Sequence, residues 1–222
     1  MKKTAKNKNT ENNITEMVFI LDRSGSMAGL EADTIGGFNS MIKDQKKEDG
    51  TAYVTTVLFD TEFIRLHDRI DISKVTPMTD SDYVPRGCTA LLDAVGDTIS
   101  HIEAIHKYVR QEDVPSKTIF IITTDGMENA SKKYDSRRIK QLISEAREKK
   151  GWEFIFLGAN IDAAETAESI GIERERASNY KASGTGTKHM FGALNQAVCC
   201  MRANAPLCEN WNEQLEADAS ER

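Results

Sequence analysis

Met17-Val18-Phe19-Ile20-Leu21-Asp22-Arg23-Ser24-Gly25-Ser26 decides the fold. Five apolar residues run without interruption, and a carboxylate with a glycine-containing polar turn follows at once. A half-exposed strand alternates apolar and polar side chains. An unbroken run is instead a strand buried on both faces, as a parallel sheet covered by helices requires. The pattern recurs at Thr118–Ile122 and Phe154–Leu157. Stripes at helical spacing lie around these runs. They comprise Ile35, Phe38, Met41 and Ile42; Leu91 through Ile105; Ile139, Leu142, Ile143 and Ala146; the short segment Ala163–Ile170; and Met190, Phe191, Leu194, Val198 and Met201. Ala52–Phe59 is rich in β-branched and aromatic residues, and Phe63–Leu66 follows after the polar turn Asp60–Glu62. Such close spacing predicts a hairpin, and so one antiparallel strand. Alternating strand and helix signals predict an α/β domain, doubly wound, with a mostly parallel sheet and helices on both faces.

One domain is expected over residues 14–205. Residues 1–13 carry a net +3 and residues 209–222 a net −4, so 1–13 and 206–222 are read as polar tails, the second acidic. Across 222 residues the net charge is −6, with 39% hydrophobic and 29% charged residues, an ordinary globular composition. The acidic balance argues against nucleic-acid binding, and no apolar run approaches a membrane span. The N-terminal stretch has no apolar core of a secretory signal before Ile14. Cys88, Cys199, Cys200 and Cys208 form no Cys-x-x-Cys pair, which reads as reduced thiols in a cytoplasmic protein.

In an open parallel sheet, ligands bind beyond the carboxyl ends of the strands, where the strand order reverses. The residues just past the apolar runs are therefore the ones to read. Asp22, Ser24 and Ser26 follow the first run, and Asp125-Gly126 follows Thr118–Ile122. Thr89 stands just before the helix that begins near Leu91. Two carboxylates and three hydroxyls are an all-oxygen donor set. Hard cations such as Mg²⁺ or Mn²⁺ prefer such sets and keep positions open for other oxygen ligands. Gly25 is expected to supply a strained turn that aims both serines at one point.

Asp22-x-Ser24-x-Ser26, Thr89 and Asp125-Gly126 together resemble the metal-ion-dependent adhesion site of von Willebrand factor A domains. The resemblance spans about 14–205. It implies a Rossmann-like sheet with one short antiparallel edge strand. Ser24, Ser26 and Thr89 are then the hydroxyl ligands, and Asp22 and Asp125 the carboxylates that bind directly or through water. It further implies a protein-binding module, not an enzyme, that captures a Glu or Asp of a protein partner on the metal.

Two other functions compete. A Mg²⁺-dependent phosphohydrolase could use Asp22, but the haloacid-dehalogenase pattern wants a second Asp where Ser24 stands, and no general base is evident. A regulatory or structural globule with an idle metal site is the other. Neither His-Glu-x-x-His nor Gly-x-Ser-x-Gly occurs. Gly184-Thr185-Gly186-Thr187-Lys188 lacks phosphate-loop spacing and reads as a flexible turn. Asp93, four residues after Thr89, is expected to bind a metal-bound water, to fix the Thr89 loop or to favour the helix start. Glu128 reads as a solvated rim residue, Asn160 as a turn residue and Cys88 as a packing residue.

Overall fold

The computed structural model describes residues 13–220, so the reading of the first twelve residues as a polar tail lies outside it. Six strands form one sheet: β1 Ile14–Asp22, β2 Thr51–Phe59, β3 Phe63–Asp71, β4 Lys117–Thr124, β5 Glu153–Gly158 and β6 Ala177–Asn179. Their spatial order is β3-β2-β1-β4-β5-β6. Only the β2–β3 pair is antiparallel. The chain moves outward from β1 in one direction, then returns to β1's other side at β4. The order therefore reverses between β1 and β4, and their carboxyl ends flank a crevice.

Helices α1 Glu31–Gln45, α2 Leu91–Tyr108, α3 Ser136–Lys150, α4 Ala163–Ser169 and α5 Gly184–Arg202 cover the sheet. Strand β1 shows why its apolar run is unbroken. Met17, Phe19 and Leu21 join a core with Phe38 of α1 and Leu194 and Val198 of α5. Val18 and Ile20 join a second core with Val95 and Ile99 of α2 and Ile143 of α3. Each face of the strand thus has its own helical layer.

Three expectations change. The antiparallel edge strand is not short: β3 has nine residues, as many as β2. Its charged residues Arg65, Asp68 and Arg69 hid its length, since an edge strand carries polar side chains where a buried one does not. Gly184–Lys188 is not a turn but the first turn of α5, capped by the Ser183 hydroxyl, which accepts from the Gly186 N–H at 3.1 Å. Nor are residues 206–220 a solvated tail. Helix α6, Glu213–Ser220, packs on α5 and β6 with Leu215 buried. The Asn179 N–H and the Ser178 hydroxyl donate to Glu216 Oε1 at 2.9 and 2.7 Å, and Trp211 Nε1 donates to the Glu175 carbonyl at 3.0 Å. The segment satisfies the free edge of β6, a task that net charge does not disclose. Among the described residues no helix is long and apolar enough to cross a membrane.

Candidate metal centre

Asp22 is the last residue of β1, and Asp125 follows the last residue of β4. Parallel neighbours in register end together, so both carboxylates reach the crevice. Asp22 is buried, and each of its oxygens already has a donor. The Ser24 N–H donates to Oδ1 at 2.7 Å, closing a tight turn, and the Thr124 hydroxyl donates to Oδ2 at 2.6 Å. Ser26 Oγ donates to Asp125 Oδ1 at 2.5 Å, and Ser24 Oγ lies 3.0 Å from Ser26 Oγ. Thr89 closes the group from a third loop. A Cβ placed on Gly126 would lie 3.6 Å from Ser26 Oγ and 3.8 Å from Thr89 Oγ1, so both hydroxyls converge on Asp125's neighbour. All five residues read from the sequence therefore meet at one place.

Hydrogen bonds to the backbone join the three loops. Tyr83 Oη donates to the Asp22 carbonyl, the Arg86 N–H to the Arg23 carbonyl at 2.9 Å, and the Gly25 N–H to the Gly87 carbonyl at 3.2 Å. The Asn129 N–H donates to the Thr89 carbonyl at 3.0 Å, while Asn129 Oδ1 accepts from the Thr89 N–H at 2.9 Å. Gly25 is not in the left-handed region, contrary to expectation. A Cβ there would only touch the Gly87 carbonyl at 3.4 Å, an ordinary contact, so its backbone is unstrained.

Burial raises the pKa of Asp22 above the ordinary carboxylate range. The donated bonds from Thr124 and Ser24 oppose that rise, and the charge of Asp125 adds to it. Asp125 is raised by burial too, against the bond from Ser26. Two desolvated carboxylates beside neutral hydroxyls suit a hard divalent cation, and the serine hydroxyls now lean on carboxylate oxygens that a cation would share. Among the described residues no group of three or more His, Cys, Asp or Glu is placed to hold a metal. The candidate set is of another kind, with two carboxylates and hydroxyls for the rest.

The neighbours take definite roles. Glu128 is no solvated rim residue: its carboxylate accepts from the N–H groups of Leu92, Ala130 and Ser131 and from the Ser131 hydroxyl, all within 2.7–2.9 Å. Asp93 accepts from the N–H groups of Lys132, Lys133 and Tyr134 at 2.8–2.9 Å, fixing the loop after Asp125. Asn160, at φ 56°, donates to the Asp125 carbonyl at 3.2 Å. Cys88 is exposed, not packed. Sequence reasoning missed Thr124, Tyr83 and Asn129. Thr124 adjoins Asp125, but nothing in a loop sequence marks Tyr83 as the partner of the β1 end or Asn129 as the partner of Thr89, forty residues earlier. The four histidines are engaged elsewhere, His67 with Thr56 and Thr76, His101 with Asp68, His106 with Glu16 and His189 with Asp218. None of them meets Ser24 or Ser26.

The sheet order, the single antiparallel edge strand and the helices on both faces define a von Willebrand factor A-like Rossmann fold. Solved structures of that class are similar to this chain. Proximal thread matrix protein 1 from the mussel byssus matches with a TM-score of 0.56 at 16% identity, over 84% of this chain and 46% of that one. A form of the same protein with a zinc-occupied metal-ion-dependent adhesion site matches at 0.54 and 17% identity, over 83% and 46%. Manganese-loaded TRAP protein of Plasmodium vivax matches at 0.53 and 15% identity, over 77% and 70%. This chain thus spans a little under half the length of the mussel protein. No family model matches the sequence, and no curated protein matches it.

Proposed function

We propose that this chain is a divalent-cation-dependent protein-binding module. Asp22, Ser24, Ser26, Thr89 and Asp125 hold Mg²⁺, or Mn²⁺ in its place, and a Glu or Asp of a protein partner takes an open position on the ion. One observation carries the reading: three loops deliver two carboxylates and three hydroxyls to one point at the strand-order switch, with Ser26 Oγ 2.5 Å from Asp125 Oδ1. The zinc- and manganese-loaded neighbours support a divalent cation in this fold. When bound, the ion supplies Lewis acidity toward an incoming oxygen ligand. The chain's own residues orient it: Thr124 and the Ser24 N–H fix Asp22, Asn129 fixes Thr89, and Asn160 holds the Asp125 backbone. The module acts by binding and not by turnover, since Ser24 replaces the second carboxylate of a phosphohydrolase and no histidine faces the serines. Four free cysteines, two of them exposed, support a reducing compartment such as the cytoplasm.

Thermal unfolding tests the metal step. Ligand linkage predicts about 2.7 kcal/mol of stabilisation at a hundredfold excess of cation over its Kd. For a chain of this size that is a rise of roughly 5–11 °C in Tm. Asp22→Ala abolishes the rise. An unchanged wild-type Tm in millimolar Mg²⁺ and Mn²⁺ overturns the reading. A pulldown with and without chelator tests the binding step, and identical partners for wild type and Asp22→Ala in both conditions favour an idle site.

A further inference from the structure

Four large hydrophobic residues are exposed among those described: Ile64, Val84, Tyr108 and Met127. A single exposed apolar side chain is ordinary on any protein surface. Met127 is not placed in an ordinary way. It is 74% exposed and stands two residues beyond Asp125. Gly126, the residue before it, is the one whose Cβ would lie 3.6 Å from Ser26 Oγ and 3.8 Å from Thr89 Oγ1. One residue step along the chain is about 3.8 Å, so Met127 borders the donor group directly. The residues after it are fixed. The Glu128 carboxylate takes four hydrogen bonds of 2.7–2.9 Å, and Asn129 is bonded in both directions to the backbone of Thr89. A thioether is thus held out to solvent on a backbone already ordered, and ordering costs little on binding. Val84 is 50% exposed in the loop tied to the end of β1 through Tyr83 and Arg86.

We infer that Met127 is an apolar contact for the partner at the metal face, so that this surface selects an acidic side chain with a large apolar neighbour over an acidic side chain alone. This rests on the metal-dependent binding proposed above. The occupant is an exposed protein segment carrying Asp or Glu. Charge favours it: Arg23 and Arg86 approach the same oxygen of Asp60, at 2.9 and 3.0 Å, and Arg86 is half exposed and reaches Glu62 only at 3.7 Å. The loop bonded to the backbone just past Asp22 therefore carries a half-exposed guanidinium, anchored on Asp60, on the side from which a carboxylate would come. Methionine suits the other half of the task, because its unbranched, polarizable side chain adapts to differently shaped apolar groups.

The probe is a phage library of random disulfide-cyclised heptapeptides, selected on the whole chain in Mn²⁺ and eluted with EDTA. Peptides eluted from wild type are expected to contain Asp or Glu with Leu, Ile, Phe or Met beside it. The same peptides should bind Met127→Ser about tenfold more weakly, as expected for losing the burial of one large apolar side chain. Met127→Ser should keep the full Mn²⁺-induced rise in Tm, because it leaves the five donors in place. Absence of the apolar enrichment, or equal affinity of those peptides for wild type and Met127→Ser, overturns the inference and leaves the metal-binding reading standing. Failure to recover any EDTA-eluted peptide overturns it as well, and the Mn²⁺ melting curve of the same sample then shows whether metal binding has failed with it.

Discussion

Thr124→Val removes the hydroxyl beneath the candidate metal centre, whose shortest bond is to Asp22 and whose longer ones, at 3.1 and 3.4 Å, are to the Gly126 backbone. The Thr124 side chain is fully buried, and its hydroxyl donates to Asp22 Oδ2 at 2.6 Å. Valine keeps nearly the same shape, so little packing is lost, but a methyl faces the carboxylate where a donor stood. Asp22 is 1% exposed, and water cannot take the donor's place without rearrangement. A hydrogen bond to a charged group contributes about 1.5–3 kcal/mol, and an abandoned buried oxygen puts the loss at the upper end. A domain of this size moves roughly 2–4 °C per kcal/mol, so the Tm in EDTA should fall by roughly 3–12 °C. Thr124→Ser is the control. It keeps the hydroxyl, sacrifices one buried methyl at about 1 kcal/mol, and should melt above the valine variant. Differential scanning calorimetry in EDTA reads all three proteins. A valine variant melting within 1 °C of wild type, or above the serine variant, refutes the claim that this bond holds the Asp22 carboxylate.

Two further outcomes follow from parts of the fold remote from the metal centre. Leu215→Ala removes the one buried side chain of α6, a truncation that costs about 2–5 kcal/mol in a core. Because α6 rests chiefly on α5 and β6, hydrogen exchange should rise across 213–220 and leave β1 and β4 protected; loss of protection in those central strands as well would contradict this. His67 is buried between the Thr56 hydroxyl and the Thr76 carbonyl, and desolvation holds its pKa below the ordinary 6.5 despite the carbonyl bond. The unfolded chain therefore binds a proton that the native state resists, so His67's contribution is complete above 6.5 and is lost as pH falls below that value toward the folded pKa. Urea unfolding from pH 7.5 to 5 should show a steeper loss for wild type than for His67→Gln, and parallel curves would exclude this role.

The strands and helices that build the switch point were legible because burial on both faces leaves one pattern in the sequence. Met17–Leu21, Thr118–Ile122 and Phe154–Leu157 all lie inside observed strands. That Asp22, Ser24, Ser26 and Asp125 lie together was legible for a related reason: strands of a parallel sheet end on one edge, so residues just past apolar runs must be neighbours, whereas Thr89, just before α2, was drawn in by the family resemblance. What escaped has no periodicity to betray it. Strand β6 is three residues long, and α6 hides in a charged segment where Leu207, Trp211 and Leu215 alone carry apolar weight into the core. Glu128 looked solvated because a carboxylate that accepts backbone N–H groups has the same letter as one that faces water. Tyr83 reaches the Asp22 carbonyl from a loop sixty-one residues on, a contact that only the closed fold creates.

The charge at the centre follows from which groups nearby can ionise. Tyr83 and Tyr180 are both buried, and Asp22 and Asp125 act on both phenols. Burial, first, and then the neighbouring charges drive both phenol pKa values upward, so each remains a neutral hydroxyl at physiological pH. Arg23 turns to Asp60 and leaves the two site carboxylates unpaired. In the proposed donor set Asp22 and Asp125 are thus the only anions, and a divalent ion would cancel them. Had Ser24, Ser26 and Thr89 been carboxylates, the ion would be over-neutralised and an arriving Glu or Asp would be repelled. With hydroxyls there instead, the loaded site would carry no net negative charge, and the next oxygen ligand to approach would meet a cation whose attraction is not spent. On the proposed reading, hydroxyls at these three positions are therefore what would turn a place that holds a metal into a place that offers one. On the same reasoning, changing Ser26 to Asp should strengthen the hold on the ion and weaken the capture of an acidic partner.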